Sequence, residues 1–160
     1  MTAPLILTVA AIEGAQLLRI VDDFLTLIAE QDPNDPAIAR LTPNPYPDDE
    51  GAAAAFAAAT RDDVTDRRVL DARTVRSALS AFDPEAPLTP EQAREPREVT
   101  IRRSDIDAWL RTLTAIRLVI ATRLGLTVEE PVAGGEAMAV YDWLGYRLEL
   151  LIEAADDIGA

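Results

Sequence analysis

Leu5, Ile6, Leu7 and Val9 form a β-prone run too short for a helix, and near Ala10 it gives way to a different spacing. From Ile12 the apolar residues fall at Leu17, Ile20, Val21, Phe24, Leu25, Leu27 and Ile28, the stripe of an amphipathic helix running to about Glu30. Five prolines then interrupt the stretch from Gln31 to Glu50. Asp35 before Pro36 reads as an N-cap followed by proline at the first helical position, which predicts a short helix over Pro36–Leu41, whereas Pro43, Pro45 and Pro47 keep the backbone extended.

Acidic residues suit a helix start and alanine is the best helix former, so a short helix is expected from Asp48 or Asp49 through Ala59. Thr60, with Asp63 three residues on as an imperfect capping box, is expected to begin a second, longer helix whose buried side carries Val64, Val69 or Leu70, Val75, Ala78 and Leu79 and which ends by Phe82. Pro84, Pro87, Pro90 and Pro96 make residues 83–98 a connector with at most one helical turn after Thr89. Val99, Thr100 and Ile101 form a second β run. Ser104 is expected to cap the most strongly patterned helix, Asp105–Leu124, striped by Ile106, Trp109, Leu110, Leu113, Ile116, Ile120 and Leu124 and closed by Gly125 in the left-handed conformation. A last helix from about Glu136 to Ala155 would bury Ala137, Val140, Tyr141, Leu144, Leu148, Leu151 and Ile152 and pair centrally with the preceding one.

These elements define a mainly α fold, a bundle of about five helices with room for one short two-stranded antiparallel β ribbon. Leu7-Thr8-Val9 leading to Leu17-Leu18-Arg19 is echoed, at one constant offset, by Val99-Thr100-Ile101 leading to Trp109-Leu110-Arg111. Two strand-then-helix units could thus pair about a pseudo-twofold axis, although two amphipathic helices also resemble each other by chance. At 160 residues, 49% of them hydrophobic, the chain supports a single domain, 1–160, and no second core of useful size.

Composition narrows the chemistry sharply. All fifteen basic residues are Arg, there is no His or Cys, and twenty-eight Asp and Glu give a formal charge of −13. Imidazole, thiolate and amine are thereby removed, so a general base, nucleophile or metal site would have to come from carboxylates and hydroxyls. The negative charge repels phosphate backbones and anionic membranes, so neither direct nucleic-acid binding nor membrane association is expected. No uninterrupted apolar run approaches the roughly 20 residues of a spanning helix, and the start of the chain lacks a basic secretory signal, which reads as cytoplasmic.

The acidic pairs Asp22-Asp23, Asp48-Asp49-Glu50, Asp62-Asp63, Glu129-Glu130 and Asp156-Asp157 lack calcium-loop spacing and read as solvated faces and helix-start charges. Neither a nucleotide-binding glycine loop nor a hydrolase nucleophile elbow is present. No catalytic, cofactor or metal residue is therefore assigned, and the chain is read as a non-enzyme. The structural or partner-binding candidates are Arg117, Arg123, Asp142, Trp143, Tyr146, Trp109 and Tyr46. Arg94, Arg97, Arg102, Arg103, Arg111, Arg117 and Arg123 make one third of the chain locally basic, either as a face for an anionic partner or, the plainer reading, as partners for acidic helices nearby. Helical phase puts Arg117 and Arg123 beside an apolar stripe, where guanidinium groups need partners, and Asp142 is the expected one. Trp109, Trp143, Tyr141 and Tyr146 read first as core or rim anchors; Trp143 and Tyr146 lie off the Leu144–Leu148–Leu151 stripe and are candidates for exposed hot spots.

Asp35-Pro36-Ala37-Ile38-Ala39-Arg40-Leu41, Tyr46-Pro47-Asp48-Asp49, Trp109-Leu110, Ile116-Arg117-Leu118-Val119, Thr122-Arg123-Leu124-Gly125 and Tyr141-Asp142-Trp143-Leu144 occur in an order that resembles the actinobacterial domain-of-unknown-function 2017 family over nearly the whole chain. Thr114 and Ala115 stand where an Asn-Asp is more usual, and the loop after Gly125 is shorter than typical, so no role for that Asn-Asp carries over. The resemblance implies a helical protein without established catalytic activity, whose relatives are sometimes labelled transcriptional regulators and whose genes often lie near that of the Clp-protease adaptor. The expectation is a regulatory protein working by protein contact in transcription or stress control, with a sigma factor as one partner class. An adaptor in Clp-type proteolysis is the alternative, and a carboxylate-based hydrolase the remote one. Short edge strands and spare aromatic residues also permit a homodimer.

Overall fold

The computed structural model describes residues 3–41, 46–125 and 135–159. Strand β1 (Leu5–Ala10) leads directly into helix α1 (Ala11–Glu30), followed by α2 (Pro36–Leu41), α3 (Glu50–Ala78), α4 (Pro90–Arg94), β2 (Pro96–Ile101), a 3₁₀ turn (Arg103–Asp105), α5 (Ile106–Arg123) and α6 (Glu136–Gly159). The protein is thus mainly α with one two-stranded antiparallel ribbon.

Local signals place most of these boundaries. At the start of α1 the Glu13 carboxylate accepts from the Ala10 N–H at 3.2 Å, one half of a capping box. Asp35 caps α2, its Oδ1 accepting from the Ala37 N–H at 2.9 Å, and Thr89 with Gln92 completes a reciprocal box around α4. Gly125 follows α5 at φ +64°, where a Cβ would be strained.

Three expected element boundaries are corrected. The two helices expected on either side of Thr60 are one continuous helix, α3, capped by Asp49, whose Oδ1 accepts from the Ala52 N–H at 3.0 Å. Nothing from Phe56 to Val64 is glycine or proline, and the Thr60 hydroxyl donates to the Phe56 carbonyl one turn back instead of capping a new start. Ser104 does not cap α5; it lies inside the 3₁₀ turn, which the Asp105 N–H closes on the Arg102 carbonyl at 2.8 Å. Strand β2 begins at Pro96, before the apolar run, because six residues of β1 offer a pairing edge that its polar first half also fills.

The ribbon pairs Leu5 with Ile101, Leu7 with Val99 and Val9 with Arg97. Leu7 and Val99 are the residues the internal echo equates, so the ladder is centred on an equivalent pair, the register that a twofold axis between them requires. The same offset relates the buried Gly14, Leu17, Val21 and Phe24 of α1 to the buried Ile106, Trp109, Leu113 and Ile116 of α5.

Trp109 is fully buried and sits in a core with Val21, Val75, Leu79, Val99, Ile101 and Leu144. Helix α5 packs against α2, α3 and α6, and α1 packs against α3, α4 and the ribbon. The expected central pairing of the last two helices therefore holds only for α5. Helix α6 is an outer layer with Leu144 and Leu151 buried, because its other face carries Asp142, Glu149, Glu153 and Asp156; Ala137 and Ile152, expected inside, are exposed. At Gly14 an added Cβ would fall 2.5 Å from Phe82 Cδ1 and closer still to the rest of the ring edge, so the absence of a side chain lets the end of α3 close on α1.

Candidate functional site

Helix α3 has Ala72 and Val75 as its buried residues, both in its last third. Its middle turns, from Thr60 to Asp71, leave space against α2 and α5. The space is a cleft of about 670 Å³ walled by Phe24, Leu41, Val64, Leu110, Ala115 and Leu118. A second hollow of about 330 Å³, with Phe56 and Ile38 in its wall, meets the first along Leu41, Val64 and Arg68.

The polar lining of the larger cleft is unusual. Arg68 lies half-buried and donates from Nη2 to the Leu41 carbonyl, while its Nε is buried without a partner. Burial pulls the Arg68 pKa down, against the opposing pull of the Asp71 charge. Asp71 itself is taken by Arg111 in a bidentate pair at 2.9 and 3.1 Å, and that hydrogen-bonded pairing raises the Arg111 pKa. Thr112, 2% exposed, has a buried hydroxyl with no partner.

Away from the cleft, guanidinium groups tie distant elements together. Arg123 at the end of α5 holds Asp35 at the start of α2 through two 2.7 Å bonds; these, with the Ala37 N–H, lower the Asp35 pKa. Arg147 and the Trp143 indole of α6 both donate to Glu13 Oε2, at 2.8 and 2.6 Å. Burial alone would raise the Glu13 pKa, but these two bonds, the Ala10 N–H and the Arg147 charge together bring it below the ordinary value. Arg76 pairs with Asp22, and Arg102 with Asp105.

The sequence candidates are therefore dispersed through the molecule. Trp109 is core. Asp142 does not pair with Arg117 or Arg123: it is exposed on α6, and the two arginines have other partners. Arg117 donates from Nε to the Tyr141 carbonyl at 3.2 Å and lies 4.0 Å above the Tyr141 ring, in the space left by Gly145, so a carbonyl and a π face do the work expected of a carboxylate. Trp143 is half-buried against Glu13, whereas Tyr146 is 58% exposed, with the Arg147 guanidinium 6.0 Å from its ring. Tyr46 is exposed and packs edge-on against Phe56 at 6.1 Å. Glu13, Arg147, Arg68 and Thr112 were not singled out from the sequence. For Arg68 a signal existed, since it falls between Val64 and Ala72 on the inward stripe of α3.

Fold and geometry together define a helical protein with a β ribbon, held by arginine clamps and hollowed by a partly apolar cleft between α3 and α5. The chain belongs to the family described as domain of unknown function (DUF2017), which it matches over residues 3–155. No curated protein and no solved structure matches it.

Proposed function

We propose that this protein is a non-enzymatic regulator that works by contact with a basic surface of another protein, in the control of transcription or of the stress response. The outward face of α6 carries the proposal. Tyr146 and Ile152 stand exposed there on either side of an acidic stripe formed by Asp142, Glu149, Glu153 and Asp156. An exposed tyrosine beside such a stripe fits a hot spot, and the stripe's charge fits electrostatic steering of a cationic partner. Glu13 and Asp35, whose pKa values are displaced, are both lowered by ion pairing, whereas a carboxylate serving as general acid is raised. This weighs against the hydrolase reading.

The test is co-purification from the native host with the wild-type chain and with Tyr146→Ala. A partner recovered by the wild type at low salt, weakened by added salt and lost with the variant, is the expected result. A sigma factor among the captured proteins would place the regulator in transcription, and a protease component would favour the adaptor role. Equal recovery by both chains would remove α6 as the contact surface.

A further inference from the structure

We propose that the cleft between α3 and α5 binds an amphipathic monocarboxylate, a medium- or long-chain aliphatic acid, with its carboxylate held by Arg68 and Thr112 and its chain against Leu41, Val64, Leu110 and Leu118. This site is separate from the outer face of α6 and stands or falls independently of the partner contact described above. Three observations converge on it.

The first is an unused hydroxyl. Threonines inside helices commonly donate to the carbonyl one turn back, and Thr26, Thr60, Thr74 and Thr122 do so here. Thr112 does not, although it lines the cleft and is almost wholly shielded from solvent. A buried hydroxyl without a partner is destabilising, so it points to an acceptor that arrives from outside the chain.

The second is an uncompensated cation. Arg76, Arg102, Arg111, Arg123 and Arg147 each pair with a carboxylate, but among the described residues none lies within ion-pair distance of Arg68. Its neighbour Asp71 is already held by both nitrogens of Arg111. A half-buried guanidinium that lines an open cavity and has no carboxylate paired to it is a site for one anion. The two adjoining hollows are lined by Arg61, Arg67, Arg68 and Arg111 against Asp63 and Asp71, a positive balance inside a chain of net charge −13.

The third is shape. Phe24, Leu41, Val64, Leu110, Ala115 and Leu118 supply an apolar wall beside Thr60 and Thr114, and about 670 Å³ falls within the range of small-molecule pockets. One unpaired guanidinium and one hydroxyl suit a single negative charge better than a phosphate dianion, and the volume suits a chain of methylenes better than a folded partner.

Calorimetric titration of the full chain with dodecanoate, below its micelle concentration, tests the assignment. The expected result is one saturable site, with dodecanol binding about tenfold more weakly or worse, as loss of a charge-assisted hydrogen bond implies. Arg68→Met should weaken dodecanoate by a similar factor. Because Arg68 also ties α3 to Leu41, Thr112→Val is the second variant: it keeps the side-chain shape, so its melting temperature should equal or exceed the wild-type value while dodecanoate affinity falls several-fold. Absence of saturable binding, equal affinity for dodecanol, or wild-type affinity in Thr112→Val would overturn the proposal. So would stronger binding of dodecyl phosphate or of an apolar hexapeptide with a free carboxyl terminus.

Discussion

Replacing Gly14 with alanine sets two effects of opposite sign against each other. In an unconstrained helix interior the change favours folding by about 0.8–1 kcal/mol, because alanine loses less backbone freedom than glycine. Here the new methyl would overlap the Phe82 ring edge, with Cδ1 at 2.5 Å and two further ring atoms closer. Overpacking of this kind costs about 1–3 kcal/mol. If the ring swings out instead, Phe82 loses part of the roughly 1.5–3 kcal/mol that full burial of such a side chain contributes. The net expectation is destabilisation of about 1–2 kcal/mol, a fall of several degrees in Tm for a chain of this length. Urea unfolding followed by far-ultraviolet circular dichroism measures it, in the wild-type and Phe82→Ala backgrounds. With the ring removed, Gly14→Ala should become stabilising by up to about 1 kcal/mol, so that the two substitutions couple by about 2 kcal/mol. A stabilising Gly14→Ala in the presence of Phe82, or strict additivity of the pair, would refute the reasoning.

Trp109→Ala should lower stability by about 3–5 kcal/mol in the same assay, whereas Trp109→Phe should cost clearly less, because it leaves a smaller void and removes an indole N–H that is buried without a partner. The lowered Glu13 carboxyl stabilises the fold fully above its ordinary value of 4.5, and that contribution is lost as pH falls through the lower folded value; Glu13→Gln should therefore flatten the acid side of a Tm-against-pH curve, and an unaltered acid limb would exclude the Arg147–Glu13–Trp143 contact as its source. Native-state hydrogen exchange should show amides 52–66 of α3 exchanging well before amides 72–79, since the buried side chains Ala72, Val75 and Leu79 cluster at the C-terminal end; uniform protection along the helix would contradict this.

Much of the fold was legible because its signals are local. The Asp35–Pro36 start of α2, the Thr89–Gln92 box of α4 and the glycine after α5 each declare themselves within a few residues. The short β-prone runs at Leu5–Val9 and Val99–Ile101 were enough to suggest a ribbon. Thr60 misled because threonine followed by acidic residues occurs inside helices as well as at their starts, and what decides is whether a breaker lies nearby. Strand β2 was shortened for the converse reason: Pro96, Arg97 and Glu98 have little β preference and are drawn into the ladder by β1. The site was much less visible. A guanidinium satisfied by a carbonyl and an aromatic face, as Arg117 is at Tyr141, leaves no carboxylate for a sequence search to find. The cleft gathers residues from α1, α2, α3 and α5, and the gap they leave is a property of packing that periodicity does not encode.

The arginine clamps carry one further consequence, for conditions inside a cell. Guanidinium keeps its proton to beyond about pH 12, and carboxylates have lost theirs by about pH 5, so in a chain without histidine, cysteine or lysine no side chain has an ordinary pKa between about pH 5 and 9. Arg123 on Asp35, Arg111 on Asp71 and Arg147 on Glu13 therefore stay fastened across the whole physiological range. Acidification of the surroundings offers these latches no release; ionic strength, a bound molecule or a partner must supply whatever signal moves them.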